Sequence, residues 1–129
     1  MNLSNASVNY MAKLFQTYGS GAVLGFYSGT IPASADDTAT GDRLAEITFP
    51  ASSWSVPSAG DVHTVAAYTG SVLLDGTIGY ARLTAATIGT LADFGVGVTS
   101  SGADIELDTL DVVAGDLLQL NSVTVLVPK

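Results

Sequence analysis

Three carboxylates raise the first chemical question. Asp104, Glu106 and Asp108 alternate with Ile105 and Leu107, so on a strand they project from one face while the two apolar residues enter a core. Paired carboxylates hydrolyse glycosides when they face each other across a cleft with separated pKa values. Three on one strand, with no aromatic neighbours to grip a sugar, match either a solvated face or a site for a hard cation such as calcium. Asp36, Asp37 and Asp42 form a second group of candidate oxygen ligands, without the fixed spacing of a calcium loop. Neither group is assigned as a catalytic, cofactor-binding or metal site.

Nucleophilic chemistry lacks its parts. The single histidine, His63, sits between Val62 and Thr64 in a β-type run, and no Gly-x-Ser-x-Gly elbow presents a serine to it. The chain has no cysteine, which removes thiol catalysis, disulfides and thiolate zinc sites together. Gly95-Val96-Gly97 opens like a dinucleotide loop, but Ser100 stands at the third glycine position and no helical pattern follows. These glycines read as small residues of a strand. The expectation is a protein that is not an enzyme and carries no cofactor. Trp54, among serines, reads as a plug for one end of the fold or as a ligand platform. Arg82 follows Tyr80 on the same strand face, where it can pair with an acid of the chain or across an interface.

The elements that must position these residues are mostly strands. Only residues 1–20 read as helical: Ser4 or Asn5 can cap, Val8, Met11, Ala12, Phe15 and Tyr18 line one face, and Gly19 and Gly21 stop the run. So short a helix must dock its apolar stripe on its own sheet or on a neighbouring subunit. Residues 22–27 are apolar in both phases, as a strand buried on both faces would be. A long connection over 28–42 leads to 43–49, with Ala45, Ile47 and Phe49 on one face and Glu46 and Thr48 on the other. Residues 50–60, with two prolines and four serines, read as a loop. Further strands are expected at 62–69, 72–74, 77–83, 92–98, 104–112, 117–120 and 123–127, with a bend or bulge at Asn121-Ser122. The sum is an all-β fold, a β-sandwich or jelly roll of about eight strands with a short N-terminal helix, divided as an arm (1–20) and a β domain (21–129).

Composition narrows the partners. The chain has 129 residues, 47% of them hydrophobic and only 12% charged, with a formal net charge of -8. That length and apolarity suffice for a core without metal or disulfide staples. Four Lys and Arg cannot form the basic stripe that neutralises phosphates, so neither nucleic acid nor an anionic membrane surface is an expected partner. The uncharged run 14–35 is interrupted by Gln16, Gly19, Ser20 and Gly21 and does not read as a bilayer span. Residues 1–10 lack the cationic-then-apolar order of a signal peptide, so folding in a cytoplasm is expected.

One resemblance extends over most of the chain. Gly25-Phe26-Tyr27, Gly29-Thr30-Ile31-Pro32-Ala33, the Ala/Asp/Thr loop closing in Thr40-Gly41, and Leu44-Ala45-Glu46-Ile47-Thr48 resemble a small family of tailed-bacteriophage virion proteins. Tyr80-Ala81-Arg82-Leu83, Ser101-Gly102-Ala103-Asp104-Ile105-Glu106-Leu107, Ala114-Gly115-Asp116 and Ser122-Val123-Thr124-Val125 agree in the same order. Family members usually carry Trp or Phe near the arginine, where Tyr80 and Leu83 stand here. The resemblance implies a structural role on the capsid exterior: a head decoration or cement protein, a dimer or trimer, bound to the major capsid protein. Its negative charge calls for a neutral or basic docking patch, with Arg43 and Arg82 as anchors or as internal partners of the acids. A tail or neck component is the second reading, and a carbohydrate- or host-binding sandwich is the rival from another class.

Overall fold

The computed structural model describes residues 21–49, 54–55, 61–64, 68–85, 89–120 and 124–126. The helix expected over 1–20, and the bend at Asn121-Ser122, lie outside the described residues. Those described are all-β, with twelve strands among them: β1 (Val23–Tyr27), β2 (Arg43–Thr48), β3 (Trp54–Ser55), β4 (Asp61–Thr64), β5 (Tyr68–Val72), β6 (Gly76–Thr77), β7 (Tyr80–Ala85), β8 (Gly89–Val98), β9 (Ile105–Leu107), β10 (Asp111–Val112), β11 (Leu117–Leu120) and β12 (Thr124–Leu126).

Seven strands form one sheet in the order β11-β5-β2-β1-β7-β8-β9, and its two end strands, β9 and β11, approach each other. The sheet therefore curls almost into a barrel. Two small sheets, β10-β6 and β12-β4-β3, accompany it. The inner face is built by alternation. Leu24 and Phe26 of β1 stand opposite Ile47 and Ala45 of β2 and Leu83 and Ala81 of β7, and all six are buried. Phe94, Ile105, Leu107 and Leu120 complete this core from the other strands.

Among the described strands regular antiparallel pairing is broken in three places: a bulge in β2, a register shift between Leu83 and Thr84 of β7 against β8, and a parallel pair, of which the first and last place polar side chains. Phe26 pairs with Ala45 but Tyr27 pairs with Arg43, so Leu44 is the extra residue of a β-bulge. The bulge buries Leu44 beside Ala45, turns Arg43 onto the face of Tyr27, and offers the Leu44 carbonyl to the N–H groups of Leu73 and Leu74 at 2.7 and 3.2 Å. In the parallel pair, β8 and β9 are consecutive, joined by residues 99–104 alone. Parallel neighbours ordinarily need a long crossover. Here β9 has three residues and lies beside the end of β8, so the chain retraces only that short distance.

Several sequence expectations change in detail. Residues 50–60 are not loop throughout, since Trp54 and Ser55 pair with Thr64 and His63. The expected strand 77–83 breaks at Ile78-Gly79, where the Gly79 N–H bonds the Tyr27 carbonyl instead of continuing a ladder. The strand expected over 104–112 likewise divides into β9 and β10. The strand expected over 72–74 is the end of β5 plus two exposed leucines. The two strands expected over 117–120 and 123–127 are present as β11, which joins β5, and β12, which joins β4.

Candidate functional site

The outer face of β1, β2, β7 and β8 carries the densest polar construction. Tyr27, Tyr80, Arg82 and Asp93 share this face, because Tyr27 pairs with Tyr80 and Arg82 pairs with Asp93 across neighbouring strands. Arg82 and Asp93 meet side by side: Nε donates to Oδ1 at 2.6 Å and Nη2 to Oδ2 at 3.0 Å. Both side chains are under a tenth exposed. This hydrogen bond to Asp93 raises the Arg82 pKa, against the desolvation that lowers it.

The third arm of the guanidinium, Nη1, donates to the Asp37 carbonyl at 2.7 Å. That contact ties down residues 28–42, a 15-residue excursion shaped as an Ω-loop. Its neck is closed by Ser28 N–H to the Asp42 carbonyl (3.0 Å), Asp42 N–H to Ser28 Oγ (3.0 Å) and Thr40 Oγ1 to the Thr30 carbonyl (2.5 Å). At Gly41 φ is 73°, and a Cβ there would run into the Gly29 backbone nitrogen, so only glycine closes this neck. The loop lies on Tyr80, which is fully buried and whose hydroxyl accepts the Thr40 N–H at 2.9 Å.

Tyr27 and Arg43 extend the construction to the bulge. The Tyr27 and Tyr80 rings stack at 5.3 Å and 15°. The Arg43 guanidinium lies 5.5 Å from the Tyr27 ring centre, donates to its hydroxyl at 2.9 Å and reaches Glu46 at 3.2 Å. Gly25 leaves this slot open, since a Cβ there would stand 3.0 Å from Arg43 Nε. Of the two roles the sequence leaves open for Arg43 and Arg82, both serve as internal partners of acids. Arg82, at 6% exposure, is inaccessible as a docking anchor.

The acidic groups are used as stitches. Glu106 accepts the Ser100 and Gly102 N–H groups at 3.2 and 2.9 Å, Asp104 accepts the Gly95 N–H at 3.3 Å, and Asp108 accepts the Thr99 hydroxyl at 3.3 Å. All three hold the short crossover between β8 and β9. The burial of Ile105 and Leu107 agrees with the expected alternation. Asp37 accepts the Ser34 N–H within the loop tip, while Ser34 Oγ accepts that of Asp36. Among the described residues no three Asp, Glu or His side chains gather where they could hold a metal ion. Gly95 and Gly97 lie inside β8, and His63 lies in β4.

Sequence reasoning misses two features. Asp93 stands in the polar phase of an expected strand, but nothing local marks it as the partner of an arginine 11 residues earlier. The second is a groove of about 220 Å³ beside β11, lined by Val72, Leu107, Val112 and Leu118 together with Asp108, Asp111, Asp116 and Leu117. It exists because the sheet's ends approach without pairing. No family model, no curated protein and no solved structure matches this chain.

Proposed function

We propose that the chain is a structural protein of a tailed-phage virion, a head decoration or cement protein on the capsid exterior that binds the major capsid protein as a dimer or trimer. It has no catalytic role in this reading. The fold belongs to the same proposal: a sandwich or jelly roll whose first 20 residues form a helical arm that lies against a neighbouring subunit.

The observation that carries the reading is the Ω-loop clamp. The two stretches on which the resemblance rests most heavily, 25–45 and Tyr80–Leu83, lie far apart in sequence but form one unit. Arg82 and Tyr80 hold the loop by its Asp37 carbonyl and its Thr40 backbone. Polar groups that could have faced a substrate are turned onto the chain's own backbone, which suits a rigid, static part better than an enzyme. A clamp across a capsid seam needs contact area of about 800 Å² per partner, which uncharged Ser, Thr, Ala and Gly surface can supply.

Quantitative mass spectrometry of purified virions tests this. The reading predicts a copy number comparable with that of the major capsid protein, and virions lacking the chain that break at lower temperature. A few copies per particle would replace it with the tail or neck reading. Absence from the virion would end both.

A further inference from the structure

Four exposed aliphatic side chains gather at one end of the fold. Leu73 and Leu74 follow β5, Val113 follows β10 and Leu117 begins β11, with exposures of 46, 49, 56 and 78%. Backbone bonds stitch these segments together: Val72 N–H to the Asp116 carbonyl and Gly115 N–H to the Val72 carbonyl, each at 3.0 Å. Asp75 fastens the same turn by accepting the Ala114 N–H at 2.7 Å. Of the four, Leu117 lines the groove beside β11 together with Asp111 and Asp116, while Leu73, Leu74 and Val113 follow directly on its lining residues Val72 and Val112. Scattered single leucines on a surface need no explanation, but a cluster fixed beside a groove of mixed aliphatic and acidic lining marks an interaction surface.

The charges identify the partner. This end is acidic, and the cations among the described residues, Arg43 and Arg82, are already bound to Glu46 and Asp93 on other strands of the sheet. A second copy would set acid against acid in a chain of net charge -8. We propose that this end of the fold docks a segment of a different protein, apolar at its centre and flanked by lysine or arginine. The partner's aliphatic side chains enter the groove against Leu117, and its cations meet Asp111 and Asp116. The surface stands on its own geometry and does not rest on the virion reading.

The test is an amide-resolved NMR titration of the full chain with three short synthetic peptides: alternating Leu/Lys, alternating Leu/Glu and alternating Ser/Lys. The Leu/Lys peptide is expected to bind, with shifts confined to residues 72–75 and 107–119, and the other two are expected to bind at least tenfold more weakly. Leu74→Ser with Leu117→Ser, both surface changes that leave the fold intact, should weaken the Leu/Lys complex by about tenfold or more. Asp116→Asn should weaken it and reduce its salt dependence. Failure of the Leu/Lys peptide to bind, equal binding of either control, shifts mapping elsewhere, or an unaffected double variant overturns the proposal. So does self-association of the free chain through Leu117, which would make the occupant a second copy.

Discussion

Replacing Arg82 by methionine is the sharpest perturbation of the clamp. Methionine keeps most of the side-chain stem but leaves the Asp93 carboxylate buried, about 6% exposed, with no counter-charge. Removing one member of a buried pair costs about 3–5 kcal/mol, because the remaining charge is uncompensated. The released Asp37 carbonyl belongs to an exposed residue and finds water, so it adds little. Against a total stability of about 5–15 kcal/mol the loss is large, and it corresponds to a fall in Tm of roughly 10–20 °C. Urea titration followed by far-ultraviolet circular dichroism measures it. The double variant Arg82→Met/Asp93→Leu should recover most of the loss, since an apolar pair replaces an ionic one without stranding a charge. Both variants should exchange the amides of residues 34–40 faster than the parent, because neither holds the Asp37 carbonyl. The Arg82 pKa is raised on folding by its bond to Asp93, so the pair's contribution is complete below the unfolded value and disappears only as pH rises through the still higher folded one. The cost of Arg82→Met is therefore expected to stay constant from neutral to mildly alkaline pH. A single-variant loss under about 1 kcal/mol, or a double variant no more stable than the single, would refute the reasoning.

Other contacts give sharp expectations of their own. Tyr80→Phe removes the hydroxyl that serves Thr40; it should cost about 1–2 kcal/mol and speed hydrogen exchange at the Thr40 amide while the sheet amides keep their protection. Gly70→Ala places a Cβ against the Glu46 carbonyl oxygen and Ile47 Cγ1, and should lower stability by about 1–3 kcal/mol in a urea titration. Glu106→Ala strips the Ser100 and Gly102 N–H groups of their acceptor, with an expected loss of about 1–2 kcal/mol in the same titration. Adding calcium or a chelator should not shift the Tm of the parent chain, because the carboxylates around this crossover each bond their own backbone or hydroxyl targets; a calcium-dependent rise would show a cage that is not formed among the described residues.

Legibility in the sequence tracks local signals. Strand faces emerge where alternation is regular, as with Ala45, Ile47 and Phe49 or Ile105 and Leu107. The 28–42 excursion is visible from its Pro, Gly and Asp content. Its clamp is not, because the Arg82–Asp93 pair and the Tyr80–Thr40 bond join residues 11 and 40 positions apart, and pairing order carries no local mark. The bulge at Leu44 is equally hidden, since a one-residue slip in register shows only when both strands are laid side by side. The acids around β9 announce themselves by alternation, but the targets of Glu106 and Asp108 lie in a crossover whose parallel geometry runs against the usual requirement for a long connection.

In the proposed virion role the clamped loop and its sheet form a static part of the particle's outer shell. Cryo-electron microscopy of purified virions, at a resolution that separates strands, tests it most directly. The account predicts density for this curled sheet in many symmetry-related copies on the outside of the head, seated on the major capsid protein. Density confined to the tail tip or neck, or none on the particle, would contradict it.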